Sequence, residues 1–426
     1  MKKVLIITYY WPPAGGPGVQ RWLKFVKYLP EFGVQPIVFI PENPTYPIQD
    51  NSLLEEIPEG IQIIKQRIFE PYALSSFLSK KKTKRISSGI IQKHKKQSIL
   101  ERIMLWVRGN LFIPDARKYW VKPSVKTISK LLLDEKIDSI ITTGPPHSVH
   151  LIGHELKRKL GIKWLADLRD PWTSIGYHKQ LKLSAASSKK HKILESTVLN
   201  GADAITVTSE ITKQEFEKIT DRPIKVITNG FDGNRVSTKL DAKFALSHIG
   251  SLLTDRNPIV LWEVLQQLVS ENEKLKISLK IQLVGVVGDG VKESIQFHGL
   301  DDYIEEVGYV SHEKVQEYQT ASQILLLLEV DSVETQGIIP GKLFEYFRAR
   351  RPILAIGPEQ WEGGKLVEKH EAGQYFRPDD KEALKQQISH WFNNFENGAL
   401  HCNSKGIEQY HRRELTKQLA NLLSWE

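Results

Sequence analysis

Short β-branched runs alternate with amphipathic helical patterns almost from one end of this chain to the other, and that alternation commits it to βαβ units and parallel sheets. The strand candidates fall into two series. The first comprises residues 3–8, 36–40, 62–65, 139–143, 163–167, 204–208 and 225–228; the second comprises 245–250, 278–284, 304–307, 324–328, 352–356 and 374–376. Between them, Val19, Trp22, Leu23, Val26 and Leu29 recur at helical spacing, which predicts a helix over 18–29 with one apolar face. A chain of 426 residues exceeds what one hydrophobic core usually serves. The expected architecture is therefore α/β, with two Rossmann-like, doubly wound parallel-sheet domains at 1–228 and 229–404. They would join at Asn229-Gly230-Phe231-Asp232-Gly233, where two glycines follow a strand. Residues 405–426 read as a terminal helix free to pack back on the first domain. The stretch 70–121 is too long for an ordinary connection.

Composition narrows the function classes. Hydrophobic residues make up 40% and charged residues 26%, the ordinary range of globular proteins. The single cysteine, Cys402, excludes an intramolecular disulfide and any cysteine-rich metal site. Two lysines precede an apolar run at the N-terminus, as in a secretion signal, but only Val4 to Ile7 is continuously apolar and Pro12 and Pro13 follow. That stretch reads as a first strand. No segment approaches the ~18 apolar residues of a membrane span. The expectation is a cytoplasmic protein, soluble or held peripherally on the inner face of the cell membrane.

The net charge of +9 is local. Between Lys80 and Arg108 ten basic residues stand against one acid, Glu101, so the rest of the chain is near neutral. Ile99, Ile103, Met104, Trp106 and Val107 lie beside these charges. Such a segment suits an anionic membrane surface, the alternative being a solvated charged loop.

Three turns of the first series carry chemistry. The first strand runs into Gly15-Gly16-Pro17-Gly18 and then a helix, so backbone N–H groups and a helix N-terminus face the sheet's carboxyl edge, a geometry suited to an anion or a sugar. A dinucleotide fingerprint needs a third glycine where this chain has Arg21, which argues against a nicotinamide enzyme. The glycines would equally serve a tight turn. After residue 143 comes Gly144-Pro145-Pro146-His147, where His147 would donate to a sugar hydroxyl, polarise a leaving group, or simply cap and pack. A third turn, Asp167 to Trp172, offers Arg169 and Asp170 as a cation and a carboxylate. His147, Arg169 and Asp170 are the candidate catalytic residues.

The second series repeats the design. Gly250 follows a strand and Arg256 stands just before a helix, where a guanidinium matches phosphate oxygens. Further on, Gly341, Lys342 and Glu345 sit at a helix start; backbone amides there hold a diphosphate and a carboxylate accepts ribose hydroxyls.

In their order along the chain these pieces resemble the retaining glycosyltransferases of the GT-B fold, particularly the family four group. The resemblance rests on KVLIITYYWPPAGGPGVQ at the start, ITNGFD ending at Asp232, HIGSL from His248 to Leu252, and PGKLFEY from Pro340 to Tyr346. It implies two domains facing across a cleft, with Gly15, Gly16 and Gly18 under the sugar and phosphates and with Arg256 and Lys342 neutralising the diphosphate. Glu345 would be the second glutamate of the family's E-x7-E motif. The first falls on Gly337, and Glu334 is the nearest substitute. The family's G-R-x-x-x-x-K motif is also departed from, since Ser251 follows Gly250 and Arg256 stands in for the lysine.

The expected function is transfer of a sugar from a nucleoside diphosphate sugar to a glycan or lipid-linked acceptor, with retention of configuration, in cell-envelope or surface polysaccharide synthesis. No D-x-D stands at a strand end, so neither a metal nor another cofactor is expected. A nucleotide-sugar epimerase of the same fold would share the donor site without an acceptor. A non-catalytic nucleic-acid-binding protein would explain the basic segment, but that segment has only Trp106 as an interleaved aromatic, so no nucleic acid partner is expected.

Overall fold

The structure, a computed structural model, describes residues 1–70, 99–176, 178 and 181–425. Of the basic segment, residues 80–98 lie outside the described residues. The chain divides into two compact units, Met1–Asn229 with Arg412–Glu426, and Gly230–His411.

In the first unit, β1 (Lys2–Thr8), α1 (Pro17–Tyr28), β2 (Val34–Pro41), β3 (Gln62–Gln66), α2 (Ile99–Leu111), α3 (Lys118–Asp134) and β4 (Ser139–Gly144) come first. Then follow α4 (Ser148–Leu160), β5 (Lys163–Leu168), α5 (Ala185–Gly201), β6 (Ala204–Val207), α6 (Glu210–Glu217) and β7 (Ile224–Val226). All seven strands are parallel, in the order β3-β2-β1-β4-β5-β6-β7.

In the second unit, β8 (Phe244–Ile249), α7 (Ile259–Glu271), α8 (Glu273–Ser278), β9 (Leu279–Val284), α9 (Asp289–Phe297), β10 (Ile304–Gly308) and α10 (His312–Ala321) lead. They are followed by β11 (Ile324–Leu328), α11 (Lys342–Ala349), β12 (Ile353–Ile356), α12 (Glu362–Lys369), β13 (Gly373–Phe376) and α13 (Lys381–Glu396). The parallel order is β10-β9-β8-β11-β12-β13. Every strand expected from the sequence is present, its ends displaced by at most two residues.

Strands covered by helices on both faces read as continuous apolar runs. Val4 to Ile7 and Ile324 to Leu327 are fully buried, as that rule requires. The expected face of α1 is inside too, with Val19, Trp22, Leu23 and Val26 buried against the sheet.

Arg21, on the same helix, explains the missing third glycine. It is 1% exposed, and its Nη2 lies 3.0 Å from Oδ1 of Asp167 while Nη1 donates to the Thr228 carbonyl at 2.6 Å. Asp167 also accepts from Trp22 Nε1 (2.8 Å), Thr143 Oγ1 (2.8 Å) and Thr206 Oγ1 (2.9 Å). Burial opposes its ionisation, yet Arg21, Arg169 and these donors hold the carboxyl below the usual range. A buried ion pair, rather than a glycine contact, fastens α1 to β4, β5 and β6.

Both sheets reverse their winding once, between β1 and β4 and between β8 and β11. In open α/β sheets ligands bind at such switch points, outside the carboxyl ends of the strands. The expected site turns leave these four strands or the adjacent β5.

The last helix, α14 (Arg412–Leu422), belongs to the first unit, where Leu415 and Leu419 join its core and Arg413 pairs with Glu31 at 2.6 Å. Residues 405–411, expected with that helix, remain in the second unit. Ile407 and Tyr410 are buried there, and the Tyr410 hydroxyl lies 2.9 Å from His370 Nε2.

Candidate functional site

At the first sheet's carboxyl edge, three turns meet because β1, β4 and β5 are neighbours. Gly16, with φ +110°, turns the chain into α1 in a conformation that side chains rarely adopt. Gly18 has another reason. A Cβ there would stand 1.4 Å from Nη1 of Arg169, so the absence of a side chain makes room for that guanidinium. Arg169 is held from behind, its Nε donating to the Gly144 carbonyl at 3.1 Å and its Nη2 to the Pro145 carbonyl at 2.6 Å. Asp170 follows it. Burial pushes its carboxyl up, against the pull of Arg169. The glycine loop, the β4 turn and the Arg169–Asp170 pair thus form one constellation. Gly15 plays a packing part, donating its N–H to the Ile48 carbonyl at 3.1 Å.

His147 is placed differently from a group displayed toward substrate. It precedes α4, is 5% exposed, and lies flat on Trp172 with ring centroids 4.5 Å apart and an interplanar angle of 5°. Neither ring nitrogen has a hydrogen-bond partner among the described residues, and burial pushes its pKa well below the ordinary value. The imidazole is neutral at pH 7 and packs as an apolar plate. Asp115 caps α4 instead, accepting the Ser148 N–H and hydroxyl at 2.8 Å each.

A further group on this edge leaves no trace in the local sequence. Glu70 is buried, accepts the Tyr9 hydroxyl and the Thr45 N–H at 2.6 Å each, and pairs with Arg117 at 3.2 Å. The Arg117 guanidinium lies 4.8 Å from the centre of the Tyr9 ring. Tyr10 stands beside Tyr9, half-buried and edge-on at 4.8 Å. Nothing in the local sequence marks a lone glutamate and a lone arginine, so only the fold could show this group.

In the second unit Gly250 ends β8 at φ +111°, and a Cβ on it would meet Lys342 Nζ at 3.1 Å. Lys342 opens α11 and donates toward Nε2 of His248 at 3.2 Å, which fixes that nitrogen as an acceptor. Burial and then Arg256 pull the lysine's pKa down to about 8. The Ile249 N–H donates to the Tyr346 hydroxyl at 3.2 Å, fastening α11 to β8. Gly250, Gly341, Lys342 and Glu345 are thereby gathered at the β8/β11 switch point.

Arg256 does not stand bare. Its Nε and Nη2 reach Glu329 at 2.9 and 3.2 Å, a forked pair in which the carboxylate side chain is 1% exposed. Among the described residues Nη1 has no hydrogen-bond partner. Glu329 carries one signal in the sequence: a charge set directly after the apolar run of β11. Glu345 is half-buried and accepts from Gln319 Nε2 at 2.7 Å through Oε2. Glu334 lies on the short turn Val333–Thr335 between β11 and α11. Among the described residues no group of three or more His, Cys, Asp or Glu could hold a metal ion, and no helix is long and apolar enough to cross a membrane.

Residues 90–235 match the family described as Glycosyltransferase Family 4. No curated protein matches the sequence. Among solved structures, Anabaena HepE in complex with UDP aligns over 100% of both chains with a TM-score of 0.64 at 14% identity. Sucrose-phosphate synthase from Thermosynechococcus elongatus aligns over 100% of this chain and 99% of its own, TM-score 0.61, 13% identity. WaaG, a glycosyltransferase involved in lipopolysaccharide biosynthesis, aligns over 99% of this chain and all of its own, TM-score 0.55, 12% identity. At such identities the likeness establishes the fold, which is GT-B.

Proposed function

We propose that this chain, a family-four-like glycosyltransferase of the GT-B fold, moves a sugar from a nucleoside diphosphate sugar to an acceptor hydroxyl, with retention, in the synthesis of a cell-envelope or surface polysaccharide. The observation that carries the reading is the gathering of Gly250, Lys342, Arg256 and Glu345 around one switch point. HepE, described in complex with UDP and with UDP-glucose, supports a uridine nucleotide as donor. WaaG's part in lipopolysaccharide biosynthesis supports an envelope glycan as product.

In this reading Lys342 and Nη1 of Arg256 stabilise the departing diphosphate with charges that need no reorganisation. Glu329 and His248 hold those two cations in place. Glu345 accepts ribose hydroxyls through its second oxygen. Arg169 and Asp170 serve the sugar and its acceptor, and His147 supports them from beneath through Trp172. Charge neutralisation by side chains makes a metal unnecessary, so turnover persists in excess chelator. The basic segment, continued on α2 by Arg102 and Arg108 beside exposed Ile103 and Trp106, holds the protein on an anionic membrane surface.

The test is a panel of nucleotide sugars scored by thermal stabilisation, since a ligand that binds only the folded state raises stability by mass action. A UDP-sugar should stabilise the unaltered protein, and Glu345→Gln should weaken UDP binding by about tenfold or more, the loss of one charge-assisted hydrogen bond. Stabilisation by no nucleotide, or equal UDP affinity in the variant, would remove the site.

A further inference from the structure

Lys118, Lys122, Lys126 and Lys130 recur at every fourth position along α3. Lys122, Lys126 and Lys130 are exposed. The helix lies along the edge strand β3, fastened by Trp120 Nε1 to the Gln66 carbonyl at 3.1 Å and by Thr127 Oγ1 to Gln66 Oε1 at 2.6 Å. Among the described residues none of these three lysine side chains has an ion-pair partner. Some other lysines of this unit do pair, Lys3 with Glu135, Lys24 with Glu56, and Lys157 with Asp203.

Helix stability does not account for the row. Like charges four residues apart on a helix repel one another, and Pro123 inside α3 removes a backbone donor as well. At 1.5 Å of rise per residue, successive lysines stand about 6 Å apart and the row runs about 18 Å from Lys118 to Lys130. Its upper end is fixed in the fold. Arg117, the residue before α3, pairs with Glu70 and lies on Tyr9, just past the end of β1. The row thus starts at the carboxyl edge that carries the glycine loop and runs down the flank of the unit. At that upper end Tyr119 is 47% exposed and Phe69 is 58% exposed, their rings edge-on at 5.9 Å.

We infer that the lysine row of α3 is a docking track for an acidic polysaccharide, the acceptor chain whose end is extended at the neighbouring edge. The proposal rests on the glycosyl-transfer reading. The track is narrow and linear, which fits a polymer strand whose carboxylates or phosphodiesters recur along its length. On α2 exposed Ile103 and Trp106 accompany the charges, as suits a membrane face; here Lys126, Ser129 and Lys130 occupy the surface between Tyr119 and Leu133. Aromatic rings at the upper end offer flat faces to sugar C–H groups. A strand held by its charges would leave its terminal sugar free to reach the site.

The test compares the full unaltered chain with a Lys122→Gln, Lys126→Gln, Lys130→Gln variant and with a control carrying Lys274→Gln, Lys276→Gln and Lys292→Gln, all exposed lysines of the second unit. Probes are polygalacturonate oligomers, neutral dextran, phosphatidylglycerol vesicles and a single-stranded oligonucleotide. Polygalacturonate should bind the unaltered chain and the control alike, weaken with salt through counterion release, and bind the track variant at least tenfold more weakly with a shallower salt dependence. Dextran should bind none of them. Equal polygalacturonate affinity in the track variant overturns the proposal. So does a vesicle or an oligonucleotide that binds more tightly than polygalacturonate and loses its affinity with the same three lysines. UDP binding is measured alongside: UDP bound without polymer overturns the track alone, whereas no UDP binding by the unaltered chain overturns the transferase reading and the acceptor role with it.

Discussion

Asp167→Asn keeps the shape of the side chain at the centre of the first unit and removes its charge. The carboxylate takes four donors at 2.8 to 3.0 Å and is fully buried. An amide oxygen accepts on one side only, so its NH2 would face a threonine hydroxyl, which can turn to accept, and one N–H group, of Arg21 or Trp22, that can only donate. Arg21, 1% exposed, would lose its counter-charge while its Nη1 stayed bound to the Thr228 carbonyl. Removing one partner of a buried ion pair costs about 3–5 kcal/mol. The three hydrogen bonds that can survive favour the lower figure, about 3 kcal/mol. For a unit of this size each kcal/mol moves Tm by about 2–4 °C, so calorimetry should place the first unit's transition about 6–12 °C lower and leave the second unit's unmoved. Because the folded carboxyl titrates below its unfolded value of about 3.9, its contribution is present above that pH and is lost as pH falls through the folded pKa. The stability gap between protein and variant should therefore close in acid. The double variant Arg21→Met, Asp167→Asn should recover part of the loss, as coupled neighbours do. A fall of under about 1 kcal/mol at pH 7, well short of the range for a broken buried pair, would refute the reasoning.

Gly18→Ala should lower turnover at least tenfold while costing about 1–3 kcal/mol of stability by overpacking, because Arg169 must leave its seat; unchanged turnover would separate Arg169 from the chemistry. His178 and His150 are pushed down to about 4 and about 3 by burial, so the folded unit keeps them neutral and its stability falls as pH drops from about 6.5 toward those values. Urea midpoints flat between pH 7 and pH 4.5 would contradict that. With Lys342 near 8, kcat/KM should decline above about pH 8 as the ammonium loses its proton, and Lys342→Arg should carry that limb to higher pH. An alkaline limb that ignores the substitution would show that Lys342 is not the titrating group.

Much of this protein is legible in its sequence. Parallel strands covered on both faces must be apolar throughout, so Val4 to Ile7 and Ile324 to Leu328 announce themselves, and helical spacing fixes the inward face of α1. The turn residues are local as well: Gly16 and Gly250 occupy backbone angles that favour glycine, and both positions could be picked from the strand that precedes them. The family resemblance ordered these pieces because motif order is itself a property of the sequence.

What pairs with what was settled elsewhere. Arg21 meets Asp167 across 146 residues, His248 meets Lys342 across 94, and Arg256 meets Glu329 across 73. Each contact depends on which strands are neighbours in the sheet, and strand order leaves no mark on the local pattern of any strand. The sequence could place His147 at a helix start and offer it as a donor. Only the tertiary structure, by bringing Trp172 from the next strand's turn flat against the ring, decided that the imidazole is closed to water. The reason is general to such folds: periodicity is set by the geometry of a single element, whereas burial and the charge state of a polar group are set by whatever other elements pack against it.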